Sequence, residues 1–547
     1  MLKKRKVLYY NFTSEKDLNI VDSLYNKYEW NPVFMCGPIN KLTKNWIKEK
    51  NLNCHLVRSM NLRLAKFDYS KIGKPVPIDN KIIDFLSKYA LHFLGVLQDT
   101  TGWNYSYEER KSYYYEILQY WNTVINNIKP DLFLSRTWPH LSDCYSLYLI
   151  CKYYNINFLC IDPYPQMNSK RHCIINSLEK LHYPISNIYL SNENLKFSPN
   201  ANEYVLQIKK GEYKTKNQFK NTLIPLHMSE WASEFEKLDT KKLGKFIIQI
   251  LRIPKIFFTF LIKFLKEKNF ISYSGKINWL TSGILNFMYP LEWKNNKKPY
   301  YFYTSRLNFF EEYFHRVKLK KKNKKLKAYY ESICIKPDFN KPYLFFAAPY
   351  QPEAATLPHG GYFENLFLTL DILTITLPKN WNIYFKEHYS TFWEYFRGCL
   401  ARDKHYYKRL LSYSNVKLIS INTDQFKLID KSKGVVSVCG TPSWEAAVRE
   451  KPSLSFGRAW YHGCKSIFVI NSVEDSINAI NKIKNGFKPE KKDIERYVAA
   501  LEKVSFETEI LNPFDKDYNI SEDSERTASE FYNVNKKFYE NKLAVDK

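Results

Sequence analysis

The feature that most constrains this sequence is an alternation, between about residues 341 and 456, of short apolar runs with helical patterns. Strands that alternate with helices form parallel α/β sheets, because each parallel connection needs a crossover segment. The C-terminal half therefore predicts a doubly wound, Rossmann-like domain over residues 341–485. Its five predicted strands are 343–347, 381–386, 416–419, 434–438 and 453–456.

The first 204 residues show a similar but less regular alternation. Apolar runs at 7–10, 131–135 and 157–161 predict strands, with a helical stretch at 80–128 between them. Residues 205–340 are Lys-rich, without clear strands, and predict a helical insertion, while 486–547 predict a helical C-terminal tail. We expect an α/β fold with two Rossmann-like domains facing a cleft and a helical insertion between them.

The net charge of the chain limits the classes of binding partner but does not identify one. The chain has 83 basic and 55 acidic residues, a net charge of +28. Such a field attracts polyanions such as nucleic acid, anionic lipid or phosphorylated substrates, although a Lys-rich codon bias explains it equally well. The sequence has no helix-turn-helix, zinc-finger or RNP signature, so we expect no nucleic-acid partner.

Cysteine usage and the N-terminal residues bear on location. The ten cysteines form no CxxC pair and no Cys/His cluster at zinc spacing, which is typical of buried free thiols in a reducing compartment. The charged start is followed by no apolar stretch of signal-peptide length. We therefore expect a cytoplasmic protein without a metal site.

Two segments of the insertion raise the question of membrane contact. Residues 255–266 have an amphipathic helical pattern whose apolar run is too short to span a bilayer. Packing against the protein body is the first interpretation, and an in-plane membrane helix is the second. The basic tract at 318–327 predicts a solvated helix face, with contact to an anionic membrane as the alternative. If either segment contacts a membrane, we expect the protein to lie peripherally on the inner face of the plasma membrane.

Polar, turn-forming residues directly follow four predicted strands of the C-terminal domain. In open α/β sheets, ligands bind beyond the carboxyl ends of the strands, so these loops are expected to converge. Thr441 suits a helix N-cap and Pro442 the first helical position, which would present free N–H groups to a phosphate. The alternative is that both residues only cap a structural helix. The four loops are 348–361, 386–390, 439–445 and 457–462.

The residues of these loops resemble the motifs of a known family. The matching segments are Tyr-Gln-Pro-Glu from residue 350, Lys-Glu-His from 386, Gly-Thr-Pro-Ser-Trp-Glu from 440, and Phe-Gly-Arg-Ala-Trp-Tyr from 456. They are similar to the capsular polysaccharide biosynthesis proteins, which include β-Kdo transferases and related surface-carbohydrate enzymes. The resemblance implies a GT-B fold, a nucleotide-sugar donor, CMP-linked in the best understood members, and a lipid-linked or growing glycan acceptor on the N-terminal domain.

Site residues follow from the resemblance and from the leaving group. Gln351 and Pro352 match the family's Gln-Pro motif, and His388 matches its His-Pro motif, with Tyr389 replacing the proline. A departing nucleotide carries negative charge that helix N–H groups and side chains stabilise without metal. Arg458 is a candidate for a phosphate or a sugar carboxylate, or else a surface arginine. The full predicted donor-binding set is Gln351, Pro352, Glu353, His388, Gly440, Thr441, Ser443, Glu445 and Arg458.

The group that activates the acceptor is expected from the N-terminal domain. His140 and Asp143 follow a predicted strand and precede a helix, which makes them the catalytic candidates. A packed loop histidine and a helix-start aspartate are the alternatives, and Asp99 and Asp162 are weaker candidates. The DxD pair at 515–517 lies in the polar tail, so a metal-dependent GT-A site is not predicted.

The predicted function is a metal-independent glycosyltransferase of surface polysaccharide biosynthesis. The transferred sugar is expected to be Kdo or another acidic sugar, and the nucleotide sugar is a substrate, so no cofactor is expected. One alternative is a polyol-phosphate transferase of teichoic-acid type, and another is a non-catalytic scaffold for capsule assembly or export.

Overall fold

A computed structural model of the protein describes residues 4–63, 65–101, 106–162, 167, 171–192, 194–212, 309–353, 356–393, 397–508 and 519–540. The chain divides into two compact units, one of residues 1–212, 298–306 and 312–547, the other of residues 213–297 and 307–311. Nearly all of the second unit lies outside the described residues, and so does the amphipathic pattern at 255–266. The first unit contains one mixed sheet and one parallel sheet.

The first sheet has seven strands in the described residues, in the order β13-β6-β5-β4-β1-β2-β3. The five strands from β3 to β5 are parallel, whereas β6 and β13 run antiparallel to their neighbours. The chain reverses its winding direction between β1 and β4, which is the Rossmann pattern. The strands are β1 (Arg5–Tyr10), β2 (Trp30–Gly37), β3 (His55–Arg58), β4 (Leu132–Ser135), β5 (Asn157–Asp162), β6 (Arg171–Ile175) and β13 (Phe506–Glu507).

The second sheet has six strands, all parallel, in the order β12-β11-β10-β7-β8-β9. All five predicted strands of this domain are present, and β12 is an additional edge strand of two residues. The winding reverses between β7 and β10, and in doubly wound sheets ligands bind at such a reversal, beyond the carboxyl ends of the strands. The strands are β7 (Tyr343–Ala347), β8 (Asn382–Lys386), β9 (Val416–Ile419), β10 (Gly434–Ser437), β11 (Ser453–Ser455) and β12 (Phe468–Val469).

Helices cover both faces of each sheet, because strands buried on both sides need an apolar partner layer on each. Side chains of β1 alternate between two cores: Leu8 and Tyr10 pack on one face, and Val7 and Tyr9 on the other. The helices are α1 (Glu15–Tyr28), α2 (Lys41–Glu49), α3 (Ser59–Arg63), α4 (Asn80–Thr101), α5 (Tyr107–Ile128), α6 (Ser142–Tyr153), α7 (Tyr183–Ser191), α8 (Pro199–Lys210), α9 (Phe309–Ser332), α10 (Leu366–Thr376), α11 (Gly398–Ala401), α12 (Lys404–Leu411), α13 (Gln425–Lys431), α14 (Thr441–Val448), α15 (Val473–Lys484), α16 (Lys491–Val504) and α17 (Ile520–Asn535). Short 3-10 helices cover Gly361–Glu364 and Tyr389–Phe392, and a π-helical turn covers Lys536–Glu540.

The chain crosses between the two domains twice. Helix α8 packs on the second domain, where the Trp444 indole N–H donates to the Tyr204 hydroxyl at 2.9 Å. After α16 the chain returns: β13 pairs with β6, and Tyr532 of α17 stacks on Tyr28 of α1 with ring centroids 4.3 Å apart. The segment 486–547, predicted as a helical tail, thus also supplies an edge strand to the first sheet.

The predicted α/β class with two Rossmann-like domains is confirmed. Strands β2, β3 and β6 were not predicted. Strand β2 was missed because it contains Pro32, and proline argues against a central strand. Among the described helices, none is long and apolar enough to cross a membrane.

Candidate functional site

The loop after β7 begins at the winding reversal of the second sheet. The Gln351 side-chain amide donates to the Glu364 carbonyl at 2.7 Å, which ties the start of this loop to the 3-10 helix that follows it. Pro352 is buried, and the peptide bond that precedes it is cis. Glu353 is half-buried and raises the pKa of the Cys439 thiol after burial has done so, which places its carboxylate near the loop after β10.

The loop after β10 begins at the same reversal and leads into α14. Gly440, not Thr441, is the N-cap of this helix, so the predicted cap is displaced by one residue and Pro442 is the second helical residue. No side chain caps the first turn, whose N–H groups are therefore left for another acceptor. The Thr441 hydroxyl instead donates to the Glu445 carboxylate at 3.1 Å.

Glu445 joins two loops at this edge of the sheet. Its second carboxylate oxygen accepts a hydrogen bond from the Gln425 amide at 3.0 Å, at the start of α13. Burial raises its pKa, while the bonds from Thr441 and Gln425 oppose that shift. Glu445 therefore organises the turns after β9 and β10, and a ligand hydroxyl would share an oxygen that is already bonded.

Ser443 is separated from the other predicted donor-binding residues. It is fully buried, its hydroxyl lies 2.7 Å from the Ser437 hydroxyl, and it donates to the Leu454 carbonyl at 3.2 Å. These bonds hold α14 against β10 and β11. Ser443 therefore has a structural role instead of the predicted role in donor binding, because its hydroxyl is turned toward the sheet.

His388 lies at the carboxyl end of β8 and caps the 3-10 helix Tyr389–Phe392. Its Nδ1 accepts a hydrogen bond from the Ser390 N–H at 3.3 Å, so the proton of the neutral ring is on Nε2. Burial, assisted by Lys386, lowers the pKa of His388 to about 4. The ring is thus a neutral hydrogen-bond donor at physiological pH, and the bond from the Ser390 N–H fixes its orientation.

Lys386, two residues earlier, was not among the predicted site residues. Burial lowers the pKa of its ammonium group, and Asp424 opposes that shift. No carboxylate of the described residues lies within ion-pair distance of it. The Lys-Glu-His segment, which was used to select His388, also contains Lys386. Glu387, between the two, has a structural role. Glu387 forms a buried ion pair with Arg402, Nε to Oε1, at 2.8 Å.

Arg458 acts on groups of both domains: against the larger effect of burial, which raises the pKa of the Cys439 thiol, its backbone and its charge lower that pKa. Its backbone N–H donates to the His359 carbonyl at 2.8 Å. Its guanidinium charge lowers the pKa of His92 on α4 and of Glu179 after β6, in each case behind larger effects of burial and, for Glu179, of Lys152. Among the described residues no side-chain hydrogen bond or ion pair engages this guanidinium.

Asp143 has a structural role that the sequence did not indicate. It is fully buried, it pairs with Arg63 Nε at 2.9 Å, and its other oxygen accepts a hydrogen bond from the Tyr10 hydroxyl at 2.6 Å. Both oxygens are engaged, and no face is open to an acceptor. We therefore correct its assignment as a catalytic base. Asp162 is buried as well, and the side chain of Asp99 lies outside the described residues.

His140 retains the properties of a base. Its Nδ1 lies 2.9 Å from the Trp138 carbonyl, and because a carbonyl only accepts, Nδ1 carries the proton and Nε2 the lone pair. Burial lowers the pKa of the ring, which is therefore neutral at pH 7. His140 is half-buried, so its position is compatible with proton abstraction.

Two further titratable groups of the second domain meet the first domain near this point. The His359 ring packs on the Trp138 indole with centroids 4.0 Å apart. Glu364 faces α4, where a Cβ added at Gly95 would lie 3.6 Å from its carboxylate. Burial raises the pKa of Glu364 to about 7. Both residues belong to the segment 350–364, whose polar content was the available signal.

Metal ligands are not assembled in the part of the chain that the structure describes. No group of three or more His, Cys, Asp or Glu side chains there could hold an ion. The DxD pair at 515–517 lies outside the described residues. The loops after β8 and β10 combine a neutral imidazole, an ammonium group and uncapped N–H groups with the bonded carboxylate of Glu445.

No family model and no curated protein matches this sequence. Among solved structures, a β-Kdo 2,7 transferase, KpsC of Thermosulfurimonas dismutans, is 15% identical over 43% of this chain and 67% of its own, with a TM-score of 0.22. The β-Kdo 2,4 transferase KpsC of the same organism is 16% identical over 34% of this chain and 54% of its own, with a TM-score of 0.21. This chain thus spans about two thirds and about half of the two transferase chains.

A UDP-GlcNAc 2-epimerase of Methanocaldococcus jannaschii is 13% identical over 91% of this chain and 99% of its own, with a TM-score of 0.22. At these scores the likenesses add nothing to the assignment of an activity, which has to come from the chemistry of the site.

Proposed function

We propose that the protein is a glycosyltransferase of GT-B type that transfers a sugar from a nucleotide-sugar donor to a surface-glycan acceptor. The observation that carries the proposal is that anion-binding groups follow β8 and β10, the two strands that flank β7, at the carboxyl edge of the second sheet. These are the Nε2–H of His388, the unpaired ammonium of Lys386 and the uncapped N–H groups of α14. A helix N-terminus beside a cation and a neutral donor favours a phosphate.

The leaving group explains why these groups suit a transferase. When the bond between the anomeric carbon and the phosphate oxygen breaks, its electron pair stays on the nucleotide. Preorganised donors stabilise that charge in a partly desolvated site more than water does. The neutral His388 ring donates a hydrogen bond through Nε2–H, and Lys386 supplies a full positive charge. No metal is required for this step.

His140 supplies the group that activates the acceptor. Its Nε2 accepts the proton of the acceptor hydroxyl while that oxygen bonds to the anomeric carbon. His140 belongs to the first domain and the phosphate groups to the second, so the reacting atoms would meet between them. The 4.0 Å contact of Trp138 with His359 supports this arrangement, because it brings the loop of His140 against the second domain.

The resemblance to capsular polysaccharide biosynthesis proteins supports the narrower part of the proposal. The donor would be CMP-linked, the sugar Kdo or another acidic sugar, and the acceptor a lipid-linked or growing glycan in the cytoplasm. Arg458, unengaged and near the first domain, is the residue for a carboxylate on the transferred sugar. The replacement of the motif proline by Tyr389 leaves the histidine in place.

A lipid-linked acceptor requires access to a membrane, and the basic face of α9 is the surface for it. Leu319, Asn323, Leu326 and Tyr330 are buried at helical spacing, so α9 is anchored to the protein on one side. A cluster of lysines on an exposed face is attracted to anionic lipid by about 1 kcal/mol per charge. The exposed lysines are Lys318, Lys321, Lys322, Lys324, Lys325 and Lys327.

The test is calorimetric titration of the protein with a panel of nucleotide sugars and nucleotides, followed by a transfer assay with the donor that binds. We expect binding of one nucleotide class, weakened about tenfold or more by Lys386→Gln and by His388→Ala. Lys408→Gln, on exposed α12, is the matched control. Absence of binding across the panel would overturn the proposal in favour of a scaffold.

The products distinguish the transferase from the polyol-phosphate alternative. A glycosyltransferase releases the nucleotide with all of its phosphate, and the product glycan gains none. A product that carries phosphate between the old and new units would overturn the glycosyl-transfer proposal. Mass spectrometry of the extended acceptor separates the two outcomes by the mass of one phosphate group.

A further inference from the structure

The contact between His359 and Trp138 has a consequence for His140. We propose that His359 is a positioning residue: its ring, from the second domain, holds Trp138, whose carbonyl fixes the tautomer and orientation of His140. The catalytic importance of this device rests on the proposed function, whereas its effect on the His140 tautomer does not. The base would then be assembled only while the two domains are in contact.

The position of His359 is determined by its backbone on both sides. The Gly360 N–H donates to the Thr356 carbonyl at 2.8 Å, and the His359 carbonyl accepts from the Arg458 N–H at 2.8 Å. A Cβ added at Gly360 would lie 2.6 Å from the Thr356 oxygen, and one added at Gly457 would lie 3.0 Å from the His359 oxygen. Only glycine fits these close approaches, so the turn has little freedom to move the ring.

The ring of His359 contacts Trp138 as a packed surface. His359 is 1% exposed and Trp138 is 9% exposed, and the two rings are inclined by 32°. Packed aromatic rings attract each other beyond the effect of the area that they bury. The residues lie in different domains, so this attraction depends on the domains being in contact.

Trp138 in turn lies in a short loop between β4 and α6. The Ser135 hydroxyl donates to the Thr137 carbonyl at 2.5 Å, and Arg136 pairs with Asp17 at 2.9 Å. These contacts hold the start of the loop, and the His359 ring holds its middle. The Trp138 carbonyl then has a defined direction, and the 2.9 Å contact with His140 Nδ1 follows from it.

The charge state of His359 is compatible with this role. Burial first, and then Arg458 and His140, lower the pKa of His359 to about 3. The ring is therefore neutral under physiological conditions, so it adds no second positive charge beside His140. A neutral aromatic ring of similar size should replace it, whereas loss of the ring should release Trp138.

The decisive measurement is the tautomer of His140 in the free protein, by side-chain nitrogen NMR with histidine labelling, the resonance being assigned with His140→Gln. We expect the Nδ1–H form in the wild type and in His359→Phe, and a mixture of both tautomers in His359→Ala. An unchanged tautomer in His359→Ala would overturn the proposal. A mixture in His359→Phe would overturn it too, because the ring nitrogens and not the packed surface would then matter.

Turnover provides the second readout. In His359→Ala we expect kcat to fall about tenfold and its acid limb to move in pH, with an unchanged KM for the donor, while His359→Phe stays within about threefold. Trp138→Ala, which removes the other ring of the contact, replaces His359→Ala if that variant does not fold, and a mixture of both tautomers is expected in it. An Nδ1–H population equal to that of the wild type in Trp138→Ala would overturn the proposal.

The two proposals fail separately. If no donor gives transfer with the wild type, the glycosyltransferase proposal fails while the tautomer measurement still decides the role of His359. If transfer occurs and His359→Ala leaves tautomer, kcat and pH profile unchanged, the positioning role alone is overturned.

Discussion

Glu387 and Arg402 form an ion pair that is buried on both sides, with Nε and Oε1 separated by 2.8 Å and the two side chains 0% and 3% exposed. The pair lies behind the turn that carries Lys386 and His388. Thr391 and Tyr407 also donate to the Glu387 carboxylate, at 3.2 Å each. This network sets the direction in which β8 leaves the sheet, and thereby the position of the predicted phosphate contacts.

Removal of one partner of this pair should destabilise the protein strongly. We expect Glu387→Ala to lower the free energy of unfolding by about 3–5 kcal/mol, because it leaves a buried, unpaired guanidinium. The double variant Glu387→Ala/Arg402→Met should recover part of that loss. Denaturant unfolding measures both. Lys491→Ala, which breaks an exposed pair with Glu495, should cost less than about 1 kcal/mol.

Asp143 should prove to be structural and not catalytic. Tyr10→Phe removes one hydrogen bond to its carboxylate and should lower the free energy of unfolding by about 1–3 kcal/mol, with donor binding unchanged. Asp143→Asn should destabilise more, since it leaves Arg63 without its partner. A folded, fully stable Asp143→Asn protein that had lost only turnover would restore the catalytic assignment.

Glu364 should make stability depend on pH near neutrality. Burial raises its pKa from 4.5 to about 7 in the folded protein, so the folded state holds this proton more tightly than the unfolded state. Its contribution is therefore fully present below pH 4.5 and is lost as the pH rises toward 7. When the pH rises from 4.5 to 8, the wild type should therefore lose up to about 3 kcal/mol more of its free energy of unfolding than Glu364→Gln does. Equal pH profiles of the thermal midpoint would contradict this.

His388 should contribute to donor affinity without a pH dependence near neutrality. Because its pKa is about 4, the ring stays neutral from pH 5.5 to 8 and donates through Nε2 throughout. His388→Ala should lose about tenfold in affinity at every pH in that range. His405→Ala, at an exposed position of α12, serves as the control. A loss that grows between pH 8 and 6 would indicate a protonated ring instead.

Two adjacent glycines separate a steric effect from a conformational one. Gly360→Ala places a methyl group 2.6 Å from the Thr356 oxygen, so the turn before the 3-10 helix has to move. Gly361→Ala meets nothing within 4 Å but has φ at +56°, which costs about 1 kcal/mol. We expect both to destabilise, but only Gly360→Ala to disturb the His359–Trp138 contact, seen as a change in tryptophan fluorescence.

Local patterns in the sequence determined most of the fold. All five strands predicted for the second domain are present, because parallel strands buried on both faces need continuous apolar runs. The helix after β10 was predicted from Thr441 and Pro442, and its cap lies one residue earlier, at Gly440. In the first domain, β2 was missed because its proline opposes a strand, and β3 because only two of its four residues are apolar. Each of these outcomes depends on residues adjacent along the chain.

The tertiary structure alone decided which candidate side chains are free. Asp143 is paired with Arg63, which is 80 residues away, and with Tyr10, 133 residues away. No residue near Asp143 in the sequence indicates either partner, because contacts between residues so far apart along the chain leave no repeating pattern in the local sequence. The same holds for Ser443, which turns toward Ser437 and Leu454, and for the contact of His359 with Trp138. Periodicity and turn residues fix where elements begin and end, whereas burial and long-range pairing depend on how the elements pack.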